Sequence, residues 1–130
     1  MKKPKRTRKD FDALLRFLPT FETPGFRFGE MKAHYGHTLP SAHLAPEVRE
    51  FHQALYDHHW IVPFDWPSWH DEAQSYIDDA QKLESADLET LEKLLTAHAR
   101  ADRFVEGHLL AMFENGHITA ILRRLRQLKP

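Results

Sequence analysis

Residues 87–102 read Asp-Leu-Glu-Thr-Leu-Glu-Lys-Leu-Leu-Thr-Ala-His-Ala-Arg-Ala-Asp. Leu88, Leu91 and Leu95 recur at i, i+3 and i+7, which is the spacing of one helix face. Ser85 or Asp87 supplies an N-cap, and no Gly or Pro interrupts the run before Gly107. The stretch therefore predicts an amphipathic helix that runs on or bends near Ala101. Its apolar face then turns polar, continuing through His98 and Asp102 to Glu106. That change sets ionisable groups at the edge of a core.

The flanking segments repeat the helical pattern. Towards the C-terminus, a helix is expected over roughly 104–114, stopped by Asn115-Gly116. A last helix follows, with Ile118, Ile121, Leu122, Leu125 and Leu128 on one side and its cations in the final turns. Towards the N-terminus, Trp69, Ala73, Tyr76, Ile77, Ala80 and Leu83 share a face, and Ser68-Trp-His-Asp71 has capping-box spacing. Ile61-Val-Pro-Phe64 is interrupted by proline and reads as extended. Pro46 opens a helix carrying Val48, Phe51 and Leu55. Phe11, Leu14, Leu15 and Leu18 mark a short first helix from Asp10, ended by Pro19. Residues 19–46 hold Pro24, Gly25, Gly29, Gly36 and Pro40 among aromatic anchors, and predict a long irregular segment. The expected fold is all-α, one compact domain of five to six helices over 10–130, preceded by a flexible basic arm at 1–9.

Composition bounds the function classes. A chain of 130 residues suits one domain. With no Cys, disulfide scaffolds, thiolate metal sites and thiol nucleophiles are excluded. There is no apolar run of about 20 residues and no apolar stretch behind the basic N-terminus, so a cytoplasmic protein without membrane partners is expected. The net charge of −1 conceals segregation: residues 10–122 carry 8 basic and 19 acidic side chains, a net of −11. The basic groups gather in Lys2, Lys3, Lys5, Arg6, Arg8 and Lys9, and in Arg123, Arg124, Arg126 and Lys129. Basic ends on an acidic body suit an electrostatic protein partner or self-association as a homo-oligomer.

Three constellations could carry chemistry. The first is His98, Asp102, Arg103, Glu106, His108 and His117, where imidazoles beside carboxylates could bind a ligand, act as acid and base, or form a satisfied internal network. The second is Asp65-Trp66-Pro-Ser-Trp69, whose two indoles could wall a binding site or plug the core. The third is the basic set Lys2, Lys3, Lys5, Arg6, Arg8, Lys9, Arg123, Arg124 and Arg126. Together with a helix–Asn115-Gly116–helix that partly resembles a helix-turn-helix, and Thr119 and Ala120 on its exposed side, it could contact phosphates. The histidines His34, His37, His43, His58, His59 and His70 match no established ligand spacing, so neither a metal nor another cofactor is expected.

The strings Trp60-Ile-Val-Pro-Phe-Asp-Trp-Pro-Ser-Trp69, Asp102-Arg-Phe-Val-Glu-Gly-His-Leu109, Phe113-Glu-Asn-Gly-His-Ile118 and Ile121-Leu-Arg-Arg-Leu125 resemble a family of small bacterial proteins of unknown function. The resemblance spans about residues 10–128 and implies a bacterial, stand-alone cytoplasmic domain, with no activity or site residue to transfer. The reading is a non-catalytic binding or interaction module that uses Trp66, Trp69 and the 98–117 cluster. The alternatives are nucleic-acid binding through the basic ends, and a small hydrolase or metal-dependent enzyme at 98–117.

Overall fold

The computed structural model describes residues 5–33 and 39–130. The chain runs through α1 (Arg8–Leu15), α2 (Leu18–Phe21), β1 (Gly29–Lys32), β2 (Ser41–Leu44), α3 (Pro46–Asp57), a 3-10 turn (Pro67–Trp69), α4 (His70–Asp78), α5 (Ala80–Glu84), α6 (Leu88–Ala101), α7 (His108–Glu114) and α8 (His117–Leu128). The fold is mostly helical. It is not strictly all-α, because part of the segment expected to be irregular forms an antiparallel hairpin that pairs Gly29 with Leu44 and Lys32 with Ser41. Gly29 makes the pairing possible, since a Cβ there would collide with the His43 carbonyl oxygen. His34 and His37, two of the histidines weighed as ligands, lie outside the described residues, as do Lys2 and Lys3.

The core is one cluster drawn from every long helix. Phe11 and Leu14 of α1, Phe51 and Leu55 of α3, Leu91, Leu94 and Leu95 of α6, Phe113 of α7 and Ile121, Leu122 and Leu125 of α8 are all buried in it. α8 packs on α1, α5, α6 and α7, which explains its continuous apolar stripe. Trp60 ends the α3 connection in the middle of this cluster. Its ring meets Phe11 edge-on at 5.7 Å, and its indole N–H donates to the Asp10 carbonyl at 3.1 Å.

Several boundaries differ from the sequence expectation, each for a local reason. The first helix starts at Arg8 because Thr7 and Asp10 form a reciprocal capping box. Ser68 does not cap α4; it lies in the 3-10 turn with its hydroxyl donating to Asp65 at 2.6 Å. The helix expected across 69–83 is two helices. Asp79 adopts an extended backbone and accepts from the Gln81 and Lys82 amides, so its side chain caps α5 rather than continuing α4. Asp87 caps α6 by accepting from the Thr90 amide at 2.8 Å.

Within the stretch expected as an arm, Arg6 makes tertiary contacts. The Arg6 guanidinium pairs with Glu92, donates to the His59 carbonyl at 2.8 Å and lies 3.8 Å above the Trp60 ring. Both partners of that ion pair are buried.

Candidate functional site

Three histidines from three elements converge at one end of α6. His98 follows the Leu91–Leu95 face into the interior and is only 2 % exposed. After Ala101 the chain turns through 102–107. The Asp102 carboxylate accepts from the Leu109 amide at 2.9 Å, tying the start of α7 to the end of α6. Gly107 closes that turn at φ +83°, and a Cβ there would press on the Met31 sulfur at 2.8 Å. This reversal carries His108 back over His98. A second reversal at Gly116, φ +84°, with Asn115 accepting from the His117 amide at 2.9 Å, starts α8 at His117.

The resulting geometry is close. His98 Nδ1 lies 3.1 Å from His108 Nε2, and the two rings are 5.3 Å apart. His117 meets His98 edge-on at 5.0 Å. One hydrogen between His98 Nδ1 and His108 Nε2 satisfies both atoms, so the neutral pair has two tautomeric arrangements. In one, His98 Nε2 is a bare acceptor; in the other it carries a hydrogen. Among the described residues, His98 Nε2, His117 Nε2 and His52 Nε2 are buried without a hydrogen-bond partner.

Burial governs the titration of all four rings. It holds His98 well below the ordinary imidazole range, with His117 and His108 adding repulsion. It takes His117 down to about 4, with His108 contributing. His108 is lowered by burial and by His70, against an opposing pull from Asp102. His52 on α3 is lowered by burial, raised by Asp102 and lowered by Arg103. The cluster is therefore neutral at pH 7.

Beside the pair lies a cavity of about 270 Å³ between α4 and α6. Trp66, His70 and Gln74 stand on one side and Ala97, His98 and His108 on the other. The alanines Ala97 and Ala101 beside His98 leave room that larger residues would fill. Among the described residues no group of three or more His, Asp or Glu side chains is arranged to hold a metal ion.

Not every residue singled out from the sequence lies here. His98, His108, His117 and Trp66 come together, with Asp102 acting on His108 from the turn. Glu106 instead accepts from the Ala42 amide at 2.6 Å and fastens the turn to β2. Arg103 is exposed and lines a separate shallow groove with Trp66 and Phe104. Trp69 stacks on Tyr76 and meets Phe64 edge-on, which is a packing role. Sequence reading missed His52, although it lies four residues after Val48 and next to Phe51, beside the stripe of α3. It also missed the cavity face of α4.

Among the described residues, the arginines of the basic set make contacts within the chain. Arg8 donates to the Pro130 carbonyl and Arg124 to the Ala86 carbonyl, while Arg123 and Arg126 pair with Glu22 at 2.7 and 3.9 Å. Thr119, expected on the exposed side of a recognition helix, is buried, and Ala120 is half-buried. No helix among the described residues is long and apolar enough to cross a membrane.

Fold and site together define a small helical domain with a histidine-walled cavity. The chain belongs to a family of unknown function, DUF6508, whose model matches residues 6–130. No curated protein and no solved structure matches it.

Proposed function

We propose that this chain is a non-catalytic binding module for a small, largely apolar molecule held in the cavity between α4 and α6. One observation carries the reading. The cavity wall is mostly apolar, with Trp66, Ala73, Ile77 and Ala97 set beside the imidazoles of His70, His98 and His108. The cavity has the general character of a ligand site, with apolar walls and few convergent polar groups. At about 270 Å³ it suits a small occupant.

Native mass spectrometry of the gently purified full chain tests this. The expected result is a retained small molecule, or capture of one from a library of small aromatic and branched compounds. Ala101→Leu, which fills the cavity from a half-buried position, should abolish capture while the circular dichroism spectrum is preserved. Equal capture by the folded variant would refute the reading.

A further inference from the structure

We infer that the open groove between residues 62–66 and the end of α6 takes a nucleoside monophosphate, its base on the Trp66 and Phe104 rings and its phosphate on Arg100 and Arg103. The groove offers about 400 Å³ and differs from the cavity between α4 and α6. Trp66 borders both, whereas Phe104 and the two arginines line the groove alone.

The first observation is an aromatic surface left in water. Phe104 is 77 % exposed, and its ring lies 5.9 Å from that of Trp66 at a tilt of 32°. A single exposed apolar side chain is ordinary, but here Phe104 shares one lining with Trp66, Phe64 and Val62. Near-parallel rings of this kind stack a base whatever its identity.

The second observation is charge. Residues 10–122 hold 19 acidic side chains against 8 basic, yet among the described residues neither Arg100 nor Arg103 makes an ion pair. The Arg100 guanidinium rests 5.6 Å from the Tyr56 ring, and Arg103 is exposed. The carboxylates next to the lining in sequence are engaged locally, Asp65 by Ser68 and Asp102 by the Leu109 amide. The carbonyls of His98, Arg100 and Ala101 accept from amides of the turn that follows, which covers the negative end of α6. Two guanidiniums at i and i+3 are thus left to fork onto one phosphate.

The same groove disfavours larger occupants. A peptide adding as a strand needs a free backbone edge, but Pro63 has no N–H and the Val62 amide already donates to the Thr96 hydroxyl at 2.9 Å. A long nucleic-acid strand would carry its phosphates across the acidic body. A small molecule that joins one ring system to one phosphate meets the rings and the arginines together.

Proton–nitrogen correlation spectra of the full chain test this by titration with adenosine monophosphate, adenosine, inorganic phosphate, phosphotyrosine and a short deoxyadenylate strand. Adenosine monophosphate should give saturable shifts at the Trp66 indole and at the Arg103 and Phe104 amides. It should bind on the order of tenfold more tightly than adenosine or phosphate, and more weakly as salt rises. Phe104→Ser should weaken it on the order of tenfold, and Arg103→Gln should erase most of its advantage over adenosine. Both side chains are exposed, so a native circular dichroism spectrum is expected; if either variant unfolds, the wild-type comparison still decides. Absence of saturable shifts at these residues, or equal affinity for adenosine, overturns the inference. So does tighter binding of phosphotyrosine or of the strand than of adenosine monophosphate. Shifts at Gln74 and Ala97 report the cavity separately, so each of these failures leaves the cavity reading intact.

Discussion

Acidification should destabilise this protein through its buried imidazoles, and His117 sets the scale. Its folded-state pKa is lowered from 6.5 to about 4 by burial and by His108. A histidine held neutral in the fold but free to protonate when unfolded contributes stability that is fully present above the unfolded value. That contribution is lost as pH falls from 6.5 towards 4. At about 1.4 kcal/mol per pH unit, the complete loss is about 3 kcal/mol, and about 2 kcal/mol is already gone by about pH 5. His98, His108 and His52 shift in the same direction and steepen the dependence. Against a typical total of about 5–15 kcal/mol, the loss is large. Urea unfolding at about pH 8 and about pH 5 measures it, with His117→Leu as the comparison. The wild type should lose at least about 2 kcal/mol between the two, and the variant about 2 kcal/mol less than the wild type. A pH-independent wild type, or a variant with the same pH dependence, would refute the assignment of a buried neutral imidazole.

Three further outcomes check the local physics. Arg6→Ala leaves the buried Glu92 carboxylate without its guanidinium and uncovers the Trp60 ring; it should cost about 3 kcal/mol in urea unfolding, and a negligible change would show that the N-terminal segment is not docked. Asp79→Ala removes the side-chain acceptor for the Gln81 and Lys82 amides; a loss of about 1 kcal/mol is expected, with faster amide exchange confined to α5. Gly29→Ala pushes a Cβ against the His43 carbonyl oxygen; amide exchange should accelerate at 29–32 and 41–44 while the helical core keeps its protection, and unchanged hairpin protection would contradict the close approach.

The helices were legible wherever apolar periodicity was long and unbroken. α6 and α8 follow their leucine and isoleucine stripes, and Asn115-Gly116 ends α7 as its chemistry dictates. The hairpin was not, because β1 and β2 are four residues each, bury no residue fully and carry no apolar alternation against a core. The break at Asp79 was hidden by a face that continues across it from Ile77 to Leu83, while the local capping bonds dictate two helices. Part of the candidate site could be read from the point where the α6 stripe turns polar, since His98 lies on that face. The convergence of His108 and His117 on it depends on two glycine reversals whose direction no periodicity encodes. Glu106 shares the helical spacing but falls beyond the end of α6, so the turn sends it to β2 instead. The charge segregation is legible in the sequence, whereas the tertiary pairs that some of its cations make, such as Arg123 with Glu22 and Lys129 with Asp12, are not.

The most direct measurement is a proton–nitrogen correlation map of the full chain titrated with a library of small aromatic and branched acids and amides. Saturable shifts should centre on Gln74, Ala97, His98, Ala101 and His108, and should vanish in folded Ala101→Leu. A folded wild type with no saturable shift at those residues, or with shifts confined to other surfaces, would contradict a ligand site in this cavity.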